Sequence, residues 1–402
     1  MSGPAGRSAS LERRQFVAMR SAIDDLPASR IREVANAGLG RPDVLAFWFG
    51  ESDEVTPEPI RAAAARALAD GETFYSHNLG LPELRADIAR YASALHGRIG
   101  EDRIVVTSSG VTALMLAMQM LVGAGDEVVA VVPVWPNLTA QPAILGAEVV
   151  RVPLRPQKGA WALDLDELFA RISDSTRVLI VNAPNNPTGW TLTREEQQAI
   201  LAHCRRTGTW IVADEVYERL WFGGADGDAA PSFLDLASPD DCVIVAQSFS
   251  KSFLMTGWRL GWMVLPSGRE AAPSKLVEFN SSCSPVFVQR GGQAALAMAD
   301  EFVPQLAGHM RRCRDSLVDG LSALPGIEVA RPLGGMYAFF RVAGRHDSLA
   351  LAKSLVAESG LGLAPGAAFG DEGEGWLRWC FASRDLSRLD EGLRRLKAGL
   401  GL

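Results

Sequence analysis

The chain has 402 residues, of which 48% are hydrophobic and 22% are charged, and its formal net charge is −7. This length exceeds that of one small domain and fits two domains with a large core. The acidic balance excludes the basic surface typical of nucleic-acid binders and of proteins held to anionic lipid, and the sequence contains no run of about 20 apolar residues that would predict a membrane span.

The cysteines and the first residues bear on the cellular compartment. The five cysteines are scattered without a C-x-x-C spacing, which predicts reduced thiols rather than a disulfide framework or a zinc site. The opening segment "MSGPAGRSAS" lacks the apolar centre of a secretory signal and is predicted to be a frayed tail. We therefore expect a cytoplasmic protein without a metal centre.

Runs rich in β-branched residues alternate with helical patterns through the middle of the chain. The predicted strands are, in order, "RIVVTS", "EVVAVV", "AEVVRV", "RVLIVNAP", "TWIVAD", "CVIVAQS" and "RLGWMVLP". The predicted helices among them are "VTALMLAMQMLVG", "DLDELFARIS" and "TREEQQAILAHCRR". Apolar strands joined by helices are typical of a parallel sheet covered on both faces. We predict an α/β fold with a mostly parallel seven-stranded sheet.

The pattern changes after about residue 285. One long helical run from residue 288 to 324 and a second, "LALAKSLVAES", flank the short strands "GGMYAFFRV" and "GWLRWCFAS". This order predicts a smaller α+β domain. The first 50 residues precede the sheet without strands of their own, so we assign 1–52 with 286–402 to the small domain and 53–285 to the large one.

The segment "QSFSKSFLMTGWRLGW" places Lys251 and Arg259 in an apolar stretch directly after a strand. Its S-x-S-K followed by R-x-G-W resembles the lysine region of the class I and II aminotransferase family, whose members are pyridoxal-phosphate enzymes of fold type I related to aspartate aminotransferase. The resemblance runs from about Trp48 to Arg378. It implies that Lys251 forms a Schiff base with pyridoxal 5′-phosphate.

A lysine suits that role for a physical reason. Imine formation needs a neutral amine, and burial with a cationic neighbour lowers a lysine pKa toward neutrality. Once displaced by a substrate amine, the Lys251 amine can carry the proton between the substrate Cα and the cofactor carbon C4′.

The resemblance also implies a phosphate cradle. Ser109, Gly110 and Val111 stand at the start of a predicted helix, where backbone N–H groups and the helix dipole favour an anion. Many relatives carry a hydroxyl residue at the Val111 position. Ser248 and Arg259 resemble the other phosphate ligands, and an arginine can contact two phosphate oxygens at once.

Further positions match residues that contact the cofactor ring. Asp214, at the end of "WIVAD", resembles the aspartate that keeps the pyridine nitrogen protonated, and with Lys251 and Tyr217 it forms the implied catalytic set. Tyr217 and Asn186 match the two partners of the 3′-oxygen. Trp135 lies at the position of the aromatic residue that stacks on the ring.

Substrate contacts are implied as well. Arg378 matches the arginine that pairs with the α-carboxylate, and Gly50 matches the entry-loop glycine beside the substrate, near Trp135 and Asn186. For Trp48 and Phe49, a place in the side-chain pocket and a place in the core are both open.

Two residues concern a second subunit. Tyr75 resembles the tyrosine that reaches the phosphate in the partner subunit's site, which implies a homodimer. For Arg290 two interpretations stay open: a residue near the interface that biases the site toward an acidic side chain, or a structural arginine.

The implied function is a ping-pong aminotransferase that moves an amino group from an L-amino acid to a 2-oxo acid. The same fold hosts C–S β-lyases, decarboxylases and ring-forming synthases, and fold alone does not decide among them. A regulator that only binds the cofactor would carry a helix-turn-helix ahead of the domain, for which we expect the N-terminal segment to be too short.

Overall fold

A computed structural model describes residues 20–157 and 159–402. The tail predicted at the N-terminus lies outside these described residues. Within them, no helix is both long and apolar enough to cross a membrane. The cytoplasmic location stays a prediction.

Helices make up the larger part of the regular structure. In chain order they are α1 Ser21–Asp24, α2 Arg30–Ala37, α3 Glu58–Ala69, α4 Pro82–His96, α5 Gly110–Leu121, α6 Asn137–Ile144, α7 Leu165–Arg171, α8 Arg194–Thr207, α9 Phe249–Ser252, α10 Ala271–Asn280, α11 Val286–Ala297, α12 Ala299–Ser322, α13 Ser348–Ser359 and α14 Leu386–Leu400. The three helices predicted before residue 210 correspond to α5, α7 and α8.

The strands are mostly short. In chain order they are β1 Leu45–Ala46, β2 Ile104–Thr107, β3 Glu127–Val132, β4 Glu148–Pro153, β5 Arg155–Gln157, β6 Ala160–Ala162, β7 Thr176–Asn182, β8 Trp210–Asp214, β9 Val243–Ser248, β10 Gly261–Val264, β11 Ile327–Val329, β12 Tyr337–Val342, β13 Leu361–Gly362, β14 Ala364–Pro365 and β15 Trp376–Cys380. β5 and β6 form a separate hairpin.

Seven strands form the central sheet in the order β2-β10-β9-β8-β7-β3-β4. They are the seven predicted from the sequence, and every neighbouring pair is parallel except the two that involve β10, which runs antiparallel to β2 and β9. The predicted α/β fold class is confirmed.

The sheet is buried on both faces because alternate residues of one strand enter two different cores. In β3, Val129 and Val131 belong to one apolar cluster, whereas Val128 and Ala130 belong to the other. α5 packs on the face that carries Val128, and α4 and α8 contribute to the opposite one. Helices therefore cover both faces of the sheet, which leaves its strand ends open.

The C-terminal part forms a four-stranded antiparallel sheet in the order β11-β12-β15-β14, with α12, α13 and α14 packed around it. The prediction that the first 50 residues lack a strand is wrong. β1 pairs in parallel with β13. A strand of two residues is too short to show an alternation of apolar and polar residues in the sequence. The division into 53–285 and 1–52 with 286–402 stays a prediction.

The helical run predicted from 288 to 324 is two helices. α11 ends at Ala297 and α12 begins at Ala299. α11 packs along α3 and α4, whereas α12 packs on α14 and the strands β11 and β12. The break at Met298 therefore separates two helices with different packing partners.

Candidate active site

A cavity of about 460 Å³ opens where the carboxyl ends of β7, β8 and β9 meet the start of α5. This edge of an open α/β sheet is the usual place for a ligand. The cavity brings together most of the residues singled out from the sequence: Gly50, Gly110, Val111, Trp135, Asn186, Asp214, Tyr217, Ser248, Lys251, Arg259 and Arg378.

Lys251 projects into the cavity from α9, the single helical turn that follows β9. Ser248 begins this turn by accepting a hydrogen bond from the Ser250 N–H at 3.1 Å. The Lys251 Nζ donates to the Gly50 carbonyl at 2.6 Å. Burial lowers the pKa of the Lys251 amine to about 8, and the positive charges of Arg378 and Arg259 act in the same direction. A neutral amine is therefore accessible near physiological pH.

Asp214 is the last residue of β8 and is 3% exposed. Its Oδ1 accepts from the Val216 N–H at 3.4 Å, and among the described residues it has no ion-pair partner. Burial raises the pKa of this carboxyl to about 7. The positive charge of Lys251 acts against this shift without forming an ion pair. A buried carboxylate that lacks an ion pair is costly by itself, so the site suits a ligand that brings a positive charge.

Two tyrosines and an asparagine line the wall beside Asp214. The hydroxyls of Tyr217 and Tyr337 are 2.8 Å apart, and burial raises the pKa of Tyr217 well above its ordinary value. The Asn186 N–H donates to Asn182 Oδ1 at 2.7 Å, and the Trp135 N–H donates to the Asn186 carbonyl at 2.9 Å. These bonds fix the loop that follows β7 against the loop that carries Trp135.

Arg378 enters the cavity from β15 and is 2% exposed. Its Nη1 donates to Asn186 Oδ1 at 2.9 Å, and its Nη2 donates to the Trp48 carbonyl. The guanidinium lies between the rings of Tyr337 and Phe369, at 4.4 and 4.8 Å from their centroids. Its Nε has no partner among the described residues, so the group retains an N–H for an anionic ligand.

The start of α5 and the loop after α9 form the far side of the cavity. Ser109 caps α5 by accepting from the Thr112 N–H at 3.0 Å, and it adopts φ 144°, a conformation rare for a residue with a side chain. Arg259 adopts φ 54° and donates to the Thr256 carbonyl at 2.6 Å. Burial lowers the pKa of Arg259. Strained backbone of this kind concentrates at functional sites.

Four of the residues discussed from the sequence are not part of the cavity lining. Ser109 directly precedes Gly110 of the lining, and its hydroxyl accepts the capping hydrogen bond from the Thr112 N–H. Tyr75 is 88% exposed on the chain surface. Trp48 is 7% exposed and belongs to the core cluster, so the core interpretation holds for it, whereas Phe49 lines the cavity.

Arg290 also lies outside the cavity lining. Its Nε donates to Glu72 Oε2 at 2.8 Å and its Nη1 donates to Gln293 Oε1 at 2.9 Å. The hypothesis that Arg290 biases the site toward an acidic side chain has no support from these contacts, because the charge of this arginine is already matched by Glu72.

Sequence reasoning missed several residues of the cavity. They are Ile31, Arg32, Glu51, Leu114, Asn182, Val216, Ser250, Thr256 and Tyr337. Asn182 carried a usable signal, because it is the polar end of a buried parallel strand. Arg32 and Tyr337 carried none, because only the packing of distant segments brings them to the cavity.

Most of the chain is similar to proteins of one known family. Residues 43–396 match the family described as aminotransferase class I and II. The chain is 33% identical to an aspartate aminotransferase of Pyrococcus horikoshii over 97% of its own length and 98% of that protein. It is also 33% identical to a probable aspartate/prephenate aminotransferase of Aquifex aeolicus, over 89% and 91% of the two chains.

The fold has similar solved structures. A mutant aspartate aminotransferase of Thermus thermophilus superimposes with a TM-score of 0.88 at 29% identity, covering 96% of this chain and all of that one. The similarity therefore extends over both parts of the molecule.

Proposed function

This chain belongs to the class I and II aminotransferases, and we propose that it binds pyridoxal 5′-phosphate in the cavity with Lys251 as its covalent attachment point. Aminotransferase activity follows from the family and from relatives that match nearly the whole chain. The cofactor, the residue roles and the assembly are our proposals.

The residues present fit this cofactor. Asp214 is a buried carboxylate without a described cationic partner, and a protonated pyridine nitrogen would supply the missing positive charge. The start of α5 offers backbone N–H groups at Gly110 and Val111, and Arg259 offers a guanidinium on the same wall of the cavity. Together these groups suit a phosphate.

When bound, pyridoxal phosphate supplies an aldehyde that accepts an amino group and a ring that takes up electrons from the substrate Cα. Lys251 supplies the base. Because burial brings the pKa of its amine to about 8, a useful fraction of the amine is neutral at pH 7 to 8 and can accept the Cα proton.

Other side chains orient the reactants. Arg378 retains the free Nε–H described above and binds the substrate α-carboxylate. Tyr217 and Asn186 would hold the 3′-oxygen of the cofactor, and Trp135 would cover the ring face. Gly50 would lie beside the substrate, and the position requires glycine because a Cβ there would lie 2.0 Å from the Tyr337 hydroxyl.

We further propose that the enzyme acts as a homodimer. Phe74 and Tyr75 are 83% and 88% exposed in the single chain, an unusual position for two adjacent aromatic residues. A partner subunit would cover them and would receive Tyr75 at the phosphate of its own site.

One observation supports the proposal most directly. Lys251 and Asp214 line the same cavity, at the sheet edge where ligands bind. The pKa of Lys251 is lowered, and the buried Asp214 carboxyl has no ion-pair partner among the described residues. Groups with perturbed pKa values in a cleft are typical of functional sites.

The test is chemical. The purified protein is incubated with pyridoxal phosphate, reduced with borohydride and digested, and we expect the cofactor mass on the peptide that contains Lys251. Labelling of another lysine, or none, contradicts the proposal.

A second measurement separates the alternative reactions. With an amino acid alone, a transaminase stops after one half-reaction and resumes when a 2-oxo acid is added. Continued pyruvate release without a 2-oxo acid would identify a β-lyase instead.

A further inference from the structure

Buried charged residues outside the cavity share a chain segment with two residues of the proposed site. In this segment, residues 214–218, which we call the acidic segment, Asp214 and Tyr217 line the cavity, whereas Glu215 and Glu218 are not part of its lining. Both glutamates are nevertheless buried. The contacts that hold their carboxylates therefore also bear on where Asp214 and Tyr217 lie.

The acidic segment has little regular structure. β8 ends at Asp214, and residues 215–232 belong to none of the helices and strands given above. The sheet still holds the backbone at Glu215, whose N–H donates to the Ala246 carbonyl at 3.1 Å. The chain then forms a turn in which the Glu218 N–H donates to the Glu215 carbonyl at 2.9 Å, so beyond the sheet its position depends on side-chain contacts.

His96 lies between Glu218 and Asp235 as the last residue of α4, and its side chain is 2% exposed. Its Nε2 is 3.0 Å from Glu218 Oε2 and its Nδ1 is 2.8 Å from Asp235 Oδ1. Burial acts to lower the pKa of His96, but the hydrogen bonds to Asp235 and Glu218 outweigh it and raise the pKa to about 10. The ring is therefore an imidazolium at neutral pH, and both nitrogens donate.

Two of these three residues are anchored independently of the acidic segment. α4 buries four apolar side chains, and the C-terminal end of a helix favours a cation such as His96. Asp235 Oδ2 accepts from the Ser232 N–H at 3.2 Å and from Arg194 Nη2 at 3.3 Å. His96 and Asp235 therefore form a fixed base for the contact with Glu218.

Glu218 depends on His96 for its counter-charge. Among the described residues, His96 is the one basic side chain within ion-pair distance of the Glu218 carboxylate. Arg219, the next residue, donates instead to the Tyr91 hydroxyl at 2.7 Å and to the Gly227 carbonyl at 3.0 Å. Without His96, the acidic segment would carry a buried and unpaired negative charge, which is strongly unfavourable.

We infer that His96 is a positioning residue for the proposed cofactor site. As an imidazolium between Glu218 and Asp235, it holds the acidic segment against α4 and thereby sets Asp214 and Tyr217 where they would meet the cofactor ring. His96 itself is not part of the cavity lining. The inference rests on the proposed function for the identity of the ligand.

Hydrogen exchange of the ligand-free protein tests the positioning without any cofactor. His96→Gln removes the positive charge between Glu218 and Asp235. We expect the amides of the acidic segment to exchange at least about tenfold faster in this variant than in the wild type. Mass spectrometry of the peptide that covers residues 214–218 measures the rate.

His203→Gln is the matched control, because it makes the same chemical change on α8. The His203 ring stacks on Phe169, and its Nε2 lies 3.2 Å from the Ile172 carbonyl, away from the acidic segment. We expect wild-type exchange of residues 214–218 in this variant. Equal acceleration in both variants, or none in His96→Gln, overturns the inference.

Binding of two cofactors separates positioning from a merely structural role. Pyridoxal phosphate and its 1-deaza analogue, which has a C–H in place of the ring nitrogen, differ only at the atom that Asp214 would contact. Fluorescence titration should show that the wild type binds pyridoxal phosphate at least about tenfold more tightly. His96→Gln should reduce this preference about fivefold because Asp214 is displaced, whereas a purely structural role would weaken both compounds equally and leave the preference unchanged.

Glu218→Gln decides the question if His96→Gln does not fold, since it leaves no unpaired carboxylate in the acidic segment and His96 keeps Asp235. It should likewise speed exchange of residues 214–218 and reduce the preference for pyridoxal phosphate. The double variant His96→Gln with Glu218→Gln should lose no more than the worse single variant, because both remove one contact. Losses that add would contradict a joint role.

The two readouts also distinguish this inference from the proposed function. A wild type that binds neither compound, while exchange rises in His96→Gln and not in His203→Gln, would reject the proposed function and leave the positioning role standing. A wild type that prefers pyridoxal phosphate, with that preference intact in both His96→Gln and Glu218→Gln, would retain the proposed function and overturn the inference.

Discussion

At the scale of single residues, burial determines the chemistry of Lys251. A lysine amine is a nucleophile and a base only when it is neutral, and an ordinary lysine is almost fully charged at pH 7. Lys251 departs from this because the cavity desolvates its Nζ. The nearby positive charges of Arg378 and Arg259 favour the same neutral form.

The first prediction concerns the pH dependence of cofactor capture. The rate at which ligand-free protein takes up pyridoxal phosphate should rise with pH and level off above about 8, since the neutral amine is the reacting form and burial brings its pKa to about 8. Stopped-flow absorbance measures this rate. A midpoint near that of an ordinary lysine would contradict the lowered pKa of Lys251.

Burial also disfavours the charged form of Asp214, which is an acid, and so raises its pKa. Its pKa is about 7 in the folded chain and is ordinarily 3.8. Between pH 3.8 and about 7, the Asp214 carboxyl is deprotonated in the unfolded chain and protonated in the folded chain. The stability that this group contributes therefore falls as pH rises and is fully lost above about pH 7.

The second prediction is that Asp214→Asn stabilises the ligand-free protein while it impairs function. The variant keeps a similar shape without a buried charge, so its midpoint of urea unfolding should exceed that of the wild type at pH 8, and the gain should shrink toward pH 5. Cofactor affinity and activity should fall at least about a hundredfold, because the pyridine nitrogen loses its acid partner. A loss of stability at pH 8 would show that Asp214 is not strained by burial.

At the scale of elements, one glycine lets β10 approach the start of α5. A Cβ on Gly261 would lie 2.5 Å from the Gly110 nitrogen and 2.7 Å from the Gln247 carbonyl oxygen. Both are backbone atoms that cannot rotate away. The close approach holds the first N–H groups of α5 against the sheet, where the phosphate is proposed to bind.

The third prediction follows from this contact. Gly261→Ala should displace the start of α5, lower the unfolding free energy by about 1–3 kcal/mol and weaken the binding of pyridoxal phosphate about tenfold. Binding of pyridoxal, which lacks the phosphate, should change much less. Fluorescence titration of both compounds measures the contrast.

Gly123→Ala is the control for this experiment, because its Cβ would meet nothing nearer than 3.7 Å. We expect wild-type affinity for both compounds in this variant. Equal weakening of pyridoxal and pyridoxal phosphate in Gly261→Ala would argue against a phosphate cradle at the start of α5.

At the scale of the whole molecule, the cavity is assembled from segments far apart in the chain. Gly50 and Arg378 come from the terminal parts, whereas Asp214 and Lys251 come from the central sheet. The Arg378 guanidinium donates to Asn186 and so joins β15 to the loop after β7. Binding of a substrate carboxylate at Arg378 would therefore connect both parts of the molecule.

The fourth prediction tests the shared site of the proposed dimer. Tyr75→Ala and Lys251→Ala should each be nearly inactive alone. When the two are unfolded together and refolded, hybrid dimers contain one site with both Lys251 and the partner's Tyr75, so about a quarter of wild-type activity should return by random pairing. Size-exclusion chromatography checks the assembly, and an absence of recovery from dimeric material contradicts a shared site.

Much of this protein could be predicted from local sequence patterns. The seven strands of the sheet are continuous apolar runs, and such runs can be recognised without knowing their neighbours. Lys251, Asp214 and Arg378 were identified because each stands in a recognisable motif. The motifs follow one another in the order that the family shows, which implied that the three residues share one site. All three line the same cavity.

The tertiary structure alone decided the remaining points. Arg32 lies at the cavity because α2 packs on α13 and β14, more than 300 residues later in the chain. β1 exists only through its pairing with β13, and Arg290 bonds to Glu72 outside the cavity lining. Local patterns determine which element forms and what chemistry it carries, whereas contacts between distant segments determine which charges face one another, and no local pattern records those contacts.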